Sequence, residues 1–202
     1  MRWERGIALL DRHLARMQNA ASTLDFAFDD SLIRDAVRRI ETQFEDHHAH
    51  RLRLTLDRAG GTHVTAELLD ADTVPFRQAV VHPQRANSAE RLRSFKTTLR
   101  EAYEVPYQLA KASGYDEAIL LNERGEVIEG TRTNVWARHD GRWLTPPLES
   151  GCLGGVYREH LLETWENAFE TILGMDDLIN AEEVGVSNAV HGFLPVELIV
   201  DP

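Results

Sequence analysis

Cys152 is the only cysteine in the chain, so no intramolecular disulfide can form and the fold must rest on its core. Long apolar runs are missing too. No stretch approaches the roughly 18 residues of a membrane helix, and no signal peptide stands at the start. Positive charge is the scarcer sign, 22 Lys and Arg against 33 Asp and Glu, for a net charge of −11. A chain this acidic repels polyanions unless its cations cluster, and no such cluster is seen, which argues against nucleic acid or an anionic membrane as the main partner. Internal repeats and low-complexity tracts are also absent. What is there is an ordinary globular composition, 43% hydrophobic and 27% charged over 202 residues, enough for one or two compact domains. The expectation is a cytoplasmic protein.

From Asp11, read as an N-cap, the apolar residues Leu14, Met17, Ala21 and Leu24 recur at steps of three and four and predict an amphipathic helix. A second helix is predicted from Asp29 or Asp30. Residues 51 to 57 alternate, with Leu52, Leu54 and Leu56 on one face of a strand and Arg51, Arg53 and Thr55 on the other. Gly60 and Gly61 turn the chain into a second strand, THVTAELL, and QAVVH begins a third. The polar stretch PQRANSAE then marks the expected boundary between a small α+β domain, residues 1–82, and a second domain, 83–202. Here AYEVPYQLAKASG predicts a helix interrupted or bent near Pro106 and closed by Gly114 in a left-handed cap. EAILLN, EVIEG, TNVWARH and RWLTP read as an antiparallel meander joined by turns at ERGE and HDGR. A helix is expected from Gly155 to about Phe169, and a last pair of strands brackets VSNAVHGF.

Three points in the second half suggest a chemistry. Lys96 lies in FKTTLREAY, where Phe95 offers an apolar wall, Thr97 and Thr98 hydroxyls, and Arg100 a neighbouring charge. A lysine that attacks an aldehyde must shed its proton, which nearby cations or a desolvated pocket favour. Glu129 ends an alternating strand ahead of a glycine, so its carboxylate can turn inward and hold a pyridinium nitrogen. Gly154 and Gly155 precede the Val156 helix, whose start offers N–H groups and a favourable dipole to a phosphate, and Arg16 can add a forked guanidinium. An imine-forming lysine, an acid for a ring nitrogen and a phosphate cradle are together what pyridoxal phosphate requires. Each also has an ordinary reading alone: an exposed lysine, a solvated turn glutamate, a tight glycine turn, a solvated helix arginine.

Other chemistry-bearing residues carry less. His47, His48 and His50 with Asp46 have ligand types but not the spacing to put three donors on one helix face, so no metal is expected. Cys152 reads as a small buried residue, and Trp136 and Trp143 read as core. His13 and His191 border proposed phosphate contacts and are read first as structural.

Taken in order, HLAR, RLRLTLDRAGG, FKTTLREAY, DEAILLNERGEVIEGTRTN, LTPPLESGCLGGVYREHLL and VSNAVHG resemble the class IV aminotransferase family over nearly the whole chain. The likeness is strongest to its aminodeoxychorismate lyase branch, including the lyase-like domain fused to aminodeoxychorismate synthase. The resemblance implies an α+β, fold-type IV pyridoxal 5'-phosphate enzyme: a small N-terminal domain, a C-terminal β-pseudobarrel with helices, and a homodimer. By position it implies Lys96 as the Schiff-base lysine, Glu129 as partner of the pyridine nitrogen, and Leu153 as a ring-packing residue. Arg16, Gly155, Val156 and Asn188 would surround the phosphate. Tyr157 stands where many relatives have threonine, so its contact would be through backbone only. Arg51 and Arg53 would bind substrate carboxylates. The family's first strand, ending in a Glu-Thr type sequence, has no counterpart before Arg2 and Trp3, and the expectation is either a start assigned at an internal methionine or a small domain short of that strand. The implied activity is conversion of 4-amino-4-deoxychorismate to 4-aminobenzoate and pyruvate in folate synthesis. The alternatives are a transaminase of D- or branched-chain amino acids and a catalytically degenerate family member.

Overall fold

The computed structural model describes residues 1–44, 48–70 and 75–200. It divides into two compact units, Met1–Thr73 and Val74–Pro202. The division falls before the 82/83 boundary expected from the polar stretch, and strand pairing is the reason. QAVVH forms β4 (Gln78–Val81), which hydrogen-bonds to strands of the second unit.

In the first unit, β1 (Arg2–Trp3), β2 (His50–Leu56) and β3 (Thr62–Leu68) form an antiparallel sheet in that order, with α1 (Leu10–Leu24) and α2 (Asp30–Glu41). The edge beside β2, where the resemblance implied a missing strand, carries the two-residue β1. Asp11 does not cap α1. The cap residue is Leu9, in a left-handed conformation, and Asp11 sits in the first turn, 2.8 Å from Arg34 of α2. Asp29 does cap α2, its carboxylate accepting the Ser31 and Leu32 N–H groups. Leu14, Ala21, Ile33, Val37 and Leu52 are buried here. Asp57 closes the β2–β3 hairpin by accepting the Ala59 and Gly61 N–H groups.

The second unit contains an eight-stranded sheet in the order β6-β5-β4-β11-β10-β7-β8-β9. Its further strands are β5 (Glu117–Leu121), β6 (Val127–Gly130), β7 (Asn134–His139), β8 (Arg142–Thr145), β9 (Ala168–Glu170), β10 (Glu183–Asn188) and β11 (Gly192–Ile199). The four expected strands β5 to β8 are present, but the sheet is not a purely antiparallel meander. β4 runs parallel to β5 and to β11, and β9 runs parallel to β8. Parallel neighbours need a crossover. Between β4 and β5 it contains α3 (Glu101–Ala112), and between β8 and β9 it contains α4 (Val156–Thr164). The helix expected to reach Phe169 therefore stops at Thr164, and Phe169 lies in β9; α5 (Met175–Ile179) follows.

Pro106 neither interrupts α3 nor ends it. The helix closes at Gly114, φ +89°, where Tyr115 N–H donates to the Ala110 carbonyl and Gly114 N–H to that of Lys111. β5 is buried along its whole length because both its faces are covered. Ile119 and Leu121 pack with Val127, Val135 and Val186, while Leu120 packs with Ile128 and Cys152. Trp136 is fully buried and donates its indole N–H to Ser187, and Trp143 packs with Trp165 and Phe193. Among the described residues no helix is long and apolar enough to cross a membrane.

At the β5–β6 turn Glu123 accepts the Ser88 N–H and hydroxyl, and these bonds hold its carboxyl down to about 2. Arg124 and Asn122 hold Glu126 at about 2 as well. Depressed acids contribute stability that is present above the ordinary value of 4.5 and is lost as pH falls toward about 2. Between these pH values, the melting temperature of a Glu123→Gln, Glu126→Gln double variant is expected to fall less steeply than that of the wild type, as read by circular dichroism. Equal slopes would contradict this.

Candidate active site

β6 carries Glu129 into the interior, where it is 4% exposed. Its Oε1 accepts the Tyr103 hydroxyl at 2.8 Å and its Oε2 accepts the Leu153 N–H at 3.1 Å. Nη2 of Arg93 lies 3.8 Å from Oε1. Burial pushes the Glu129 carboxyl up, opposed by the two hydrogen bonds and by the charges of Arg93 and Lys96. Burial and the Glu129 charge push the Tyr103 phenol up, so it stays a donor. Arg93 belongs to a 3-10 turn, Arg91–Ser94, and is itself 4% exposed. Lys96 follows that turn. It is exposed in this chain, yet its charge is felt at Glu129. Arg100, predicted as its cationic neighbour, donates to the Thr131 carbonyl at 2.5 Å with its guanidinium over the Tyr103 ring.

A second buried carboxylate, Glu117, clamps the turn between β6 and β7. Its Oε1 accepts the N–H groups of Ala118 and Thr131 and the Thr131 hydroxyl. Its Oε2 accepts the Arg132 N–H and the Thr133 hydroxyl. Burial raises this carboxyl also, with the threonine hydroxyls opposing. The clamp sets where β7 starts. From there Asn134 donates from Nδ2 to the Leu153 carbonyl at 3.0 Å, tying β7 to the loop before α4. Gly155 is the cap residue of α4, which has no side-chain cap. A β-carbon at Gly155 would lie 1.9 Å from Asn134 Oδ1, so any larger residue would displace the Asn134 side chain. Val156 is buried and Tyr157 half-buried. Asn188, at the end of β10, accepts the Val190 and His191 N–H groups on Oδ1, and its Nδ2 lies 3.4 Å from the Arg132 carbonyl.

The second unit thus brings Lys96, Glu129 and Leu153 together and puts Gly155, Val156 and Tyr157 at one helix start. Arg16, Arg51 and Arg53 belong to the first unit. Arg16 is half-buried on α1. Arg51 pairs with Glu67, its direct partner across the hairpin, and Arg53 stands exposed opposite Thr65. Arg93, Tyr103, Glu117 and Asn134 were not anticipated as site residues, although the last three fall in stretches that carry the resemblance. Cys152 is buried, and burial pushes its thiol up to about 12, which leaves it a weak nucleophile. His191 meets Phe76 edge-on. His50 stacks on Phe44, while Asp46 and His47 lie outside the described residues.

The sequence profile of amino-transferase class IV matches residues 1–199, and the chain belongs to that family. A protein of Schizosaccharomyces pombe named "Putative aminodeoxychorismate lyase" is 29% identical over 208 residues, 96% of this chain and 85% of that protein. The crystal structure of a "Putative amino-acid aminotransferase" from Mesorhizobium loti matches with a TM-score of 0.89 and 36% identity, over 98% of this chain and 97% of that one. An aminotransferase from Brucella abortus bound to PLP matches with a TM-score of 0.83 at 20% identity, over 98% of this chain and 78% of the other, which extends the likeness of fold.

The protein is therefore an enzyme of α+β fold whose cofactor is pyridoxal phosphate. Its donor set fits that group. Among the described residues Glu129 has two hydrogen bonds from protein donors, and a carboxylate offers about four acceptor positions, so it can still take a ring N–H. The uncapped start of α4 offers peptide donors to a phosphate. Gly155→Ala is expected to push Asn134 off the Leu153 carbonyl and to weaken pyridoxal phosphate binding at least about tenfold, about 1.4 kcal/mol. Titrating the apoprotein by tryptophan fluorescence checks this, and unchanged affinity would contradict it.

Proposed function

We propose that the enzyme is a cytoplasmic aminodeoxychorismate lyase, converting 4-amino-4-deoxychorismate to 4-aminobenzoate and pyruvate for folate synthesis, and that it is linked in function to aminodeoxychorismate synthase. The observation that carries this is the match to the S. pombe protein over 96% of the chain. Lys96 would hold the cofactor, Glu129 its ring nitrogen and Leu153 one ring face. Gly155, Val156 and Tyr157 would offer backbone N–H groups to its phosphate, with Asn188 beside them. Because the Asn188 side chain already closes its own turn, its contribution would be to orient that turn and Arg132. When bound, the cofactor supplies an electron sink for the carbon bearing the substrate nitrogen.

The chain's own groups do the rest. The neutral Lys96 amine takes the proton from that carbon as general base. Arg51 and Arg53 bind the two substrate carboxylates; for Arg51 this means exchanging Glu67 for substrate. Loss of the enolpyruvyl group as pyruvate leaves an aromatic ring, which drives the reaction forward. A second reading, transamination of an amino acid, is favoured by the 36% identity to the M. loti protein. It uses the same lysine and differs in needing an amino acceptor.

Purified enzyme is expected to release pyruvate from aminodeoxychorismate with no acceptor present, and Lys96→Ala to lose at least about a thousandfold in rate. Product formed only when a keto acid is supplied would reject the lyase and support the transaminase. A chain that holds no borohydride-reducible cofactor would instead be a degenerate member.

The enzyme would act as a homodimer. Val105 and Leu109, one turn apart on α3, are 53% and 55% exposed, and nearby in sequence Leu99 is 72% exposed. Apolar side chains in such a row favour burial against a second copy. Sedimentation is expected to give a dimer for the wild type and a shift toward monomer for Val105→Asp with Leu109→Asp.

A further inference from the structure

Arg93 is a buried cation that the roles above leave unused. Its Nε lies 3.3 Å from the Gly151 carbonyl, and its guanidinium sits 5.1 Å from the centre of the Tyr103 ring. Its Nη2 finds no hydrogen-bond partner among the described residues, and its nearest anion is Glu129, at 3.8 Å. The two side chains are 4% and 6% exposed, so little water screens one from the other.

The groups facing Glu129 come from several segments. Tyr103 on α3 and the Leu153 N–H before α4 are neutral donors. The Cys152 thiol is also neutral and feels the Glu129 charge. Lys96 and Arg93 are the cations whose charge acts on Glu129. Arg100 lies over the Tyr103 ring and donates to the Thr131 carbonyl, and Arg158 acts on Cys152. The two cations differ in permanence. Lys96 must be neutral to attack the cofactor aldehyde or to serve as a base, whereas a guanidinium keeps its proton throughout.

An acid and a ring nitrogen in contact share one proton. It can sit on the nitrogen, leaving a carboxylate, or on the acid, leaving a neutral ring. Burial favours the neutral pair, and a fixed cation beside the acid favours the ionised pair. We propose that Arg93 is a positioning residue that keeps Glu129 ionised, so that the shared proton stays on the ring nitrogen after Lys96 has given up its charge. The proposal rests on the reading of Glu129 as the ring-nitrogen partner.

The test is the 15N resonance of holoenzyme loaded with ring-15N pyridoxal phosphate at neutral pH. The wild type and Arg93→Lys are expected to show a protonated ring nitrogen, and Arg93→Gln and Glu129→Gln a resonance moved toward neutral pyridine. If Glu129→Gln moves the resonance and Arg93→Gln does not, the role of Arg93 is refuted while that of Glu129 stands. If neither moves it, Glu129 is not the partner and the proposal falls with it. A second measurement needs no change at Arg93. In Lys96→Ala apoprotein, the infrared difference against Lys96→Ala with Glu129→Gln is expected to show an ionised carboxylate at neutral pH. A protonated acid there would overturn the proposal.

Discussion

Withdrawing the Glu129 carboxylate from water costs several kcal/mol even after the protein relaxes, and the groups around it offset that cost. They arrive from separate places: Arg93 from a 3-10 turn, Tyr103 from α3, and the Leu153 N–H from the loop before α4. None is a sequence neighbour of Glu129. The surroundings of the acid therefore depend on the crossover that brings α3 onto β5 and on the loop between β8 and α4. Both must be in place before Glu129 meets these donors.

Glu117 shows what the same side chain does under another arrangement. It opens β5 as Glu129 lies in the adjacent β6, and it too is buried. Its oxygens accept three and two hydrogen bonds from neutral donors, which leaves no geometry for a ligand. Among the described residues Glu129 accepts two, and it has cations beside it. Glu117 fixes backbone, and Glu129 keeps acceptor capacity in reserve. Without the Glu117 clamp, the turn 131–133 would lose the bonds that set where β7 begins.

Local signals were legible in the sequence. The Asp29 cap, the β2–β3 hairpin, the Gly114 helix end and the strands β5 to β8 all follow from rules that act within a few residues. Lys96, Glu129 and Gly155 stood out because each residue type sits beside a local cue. Non-local choices were hidden. Whether QAVVH joins the hairpin or the later strands depends on partners up to about 120 residues away. Asp11 is a good cap by residue type, but Arg34 engages it instead. Arg93 looks like any surface arginine until Tyr103 and Glu129 close over it. Glu117 did leave a trace, as a charge heading the apolar run AILL, where a strand covered on both faces has no room for an unbonded acid.

Leu153 links the two ends of the site. Its N–H donates to Glu129 and its carbonyl accepts from Asn134, so one residue is held at both of its polar groups. Gly155 lies two residues on and begins α4. Two residues of extended chain span at most about 7 Å, so the spacing from the acid to the helix start is bounded by covalent geometry. The glycine lets Asn134 approach closely enough to lock that span. Lys96 is different, because it comes on a separate segment, which Arg93 ties to the Gly151 carbonyl on one side and Arg100 ties to the Thr131 carbonyl on the other. Alignment of the amine with a rigidly spaced acid and helix start therefore depends on the packing of both arginines that flank it.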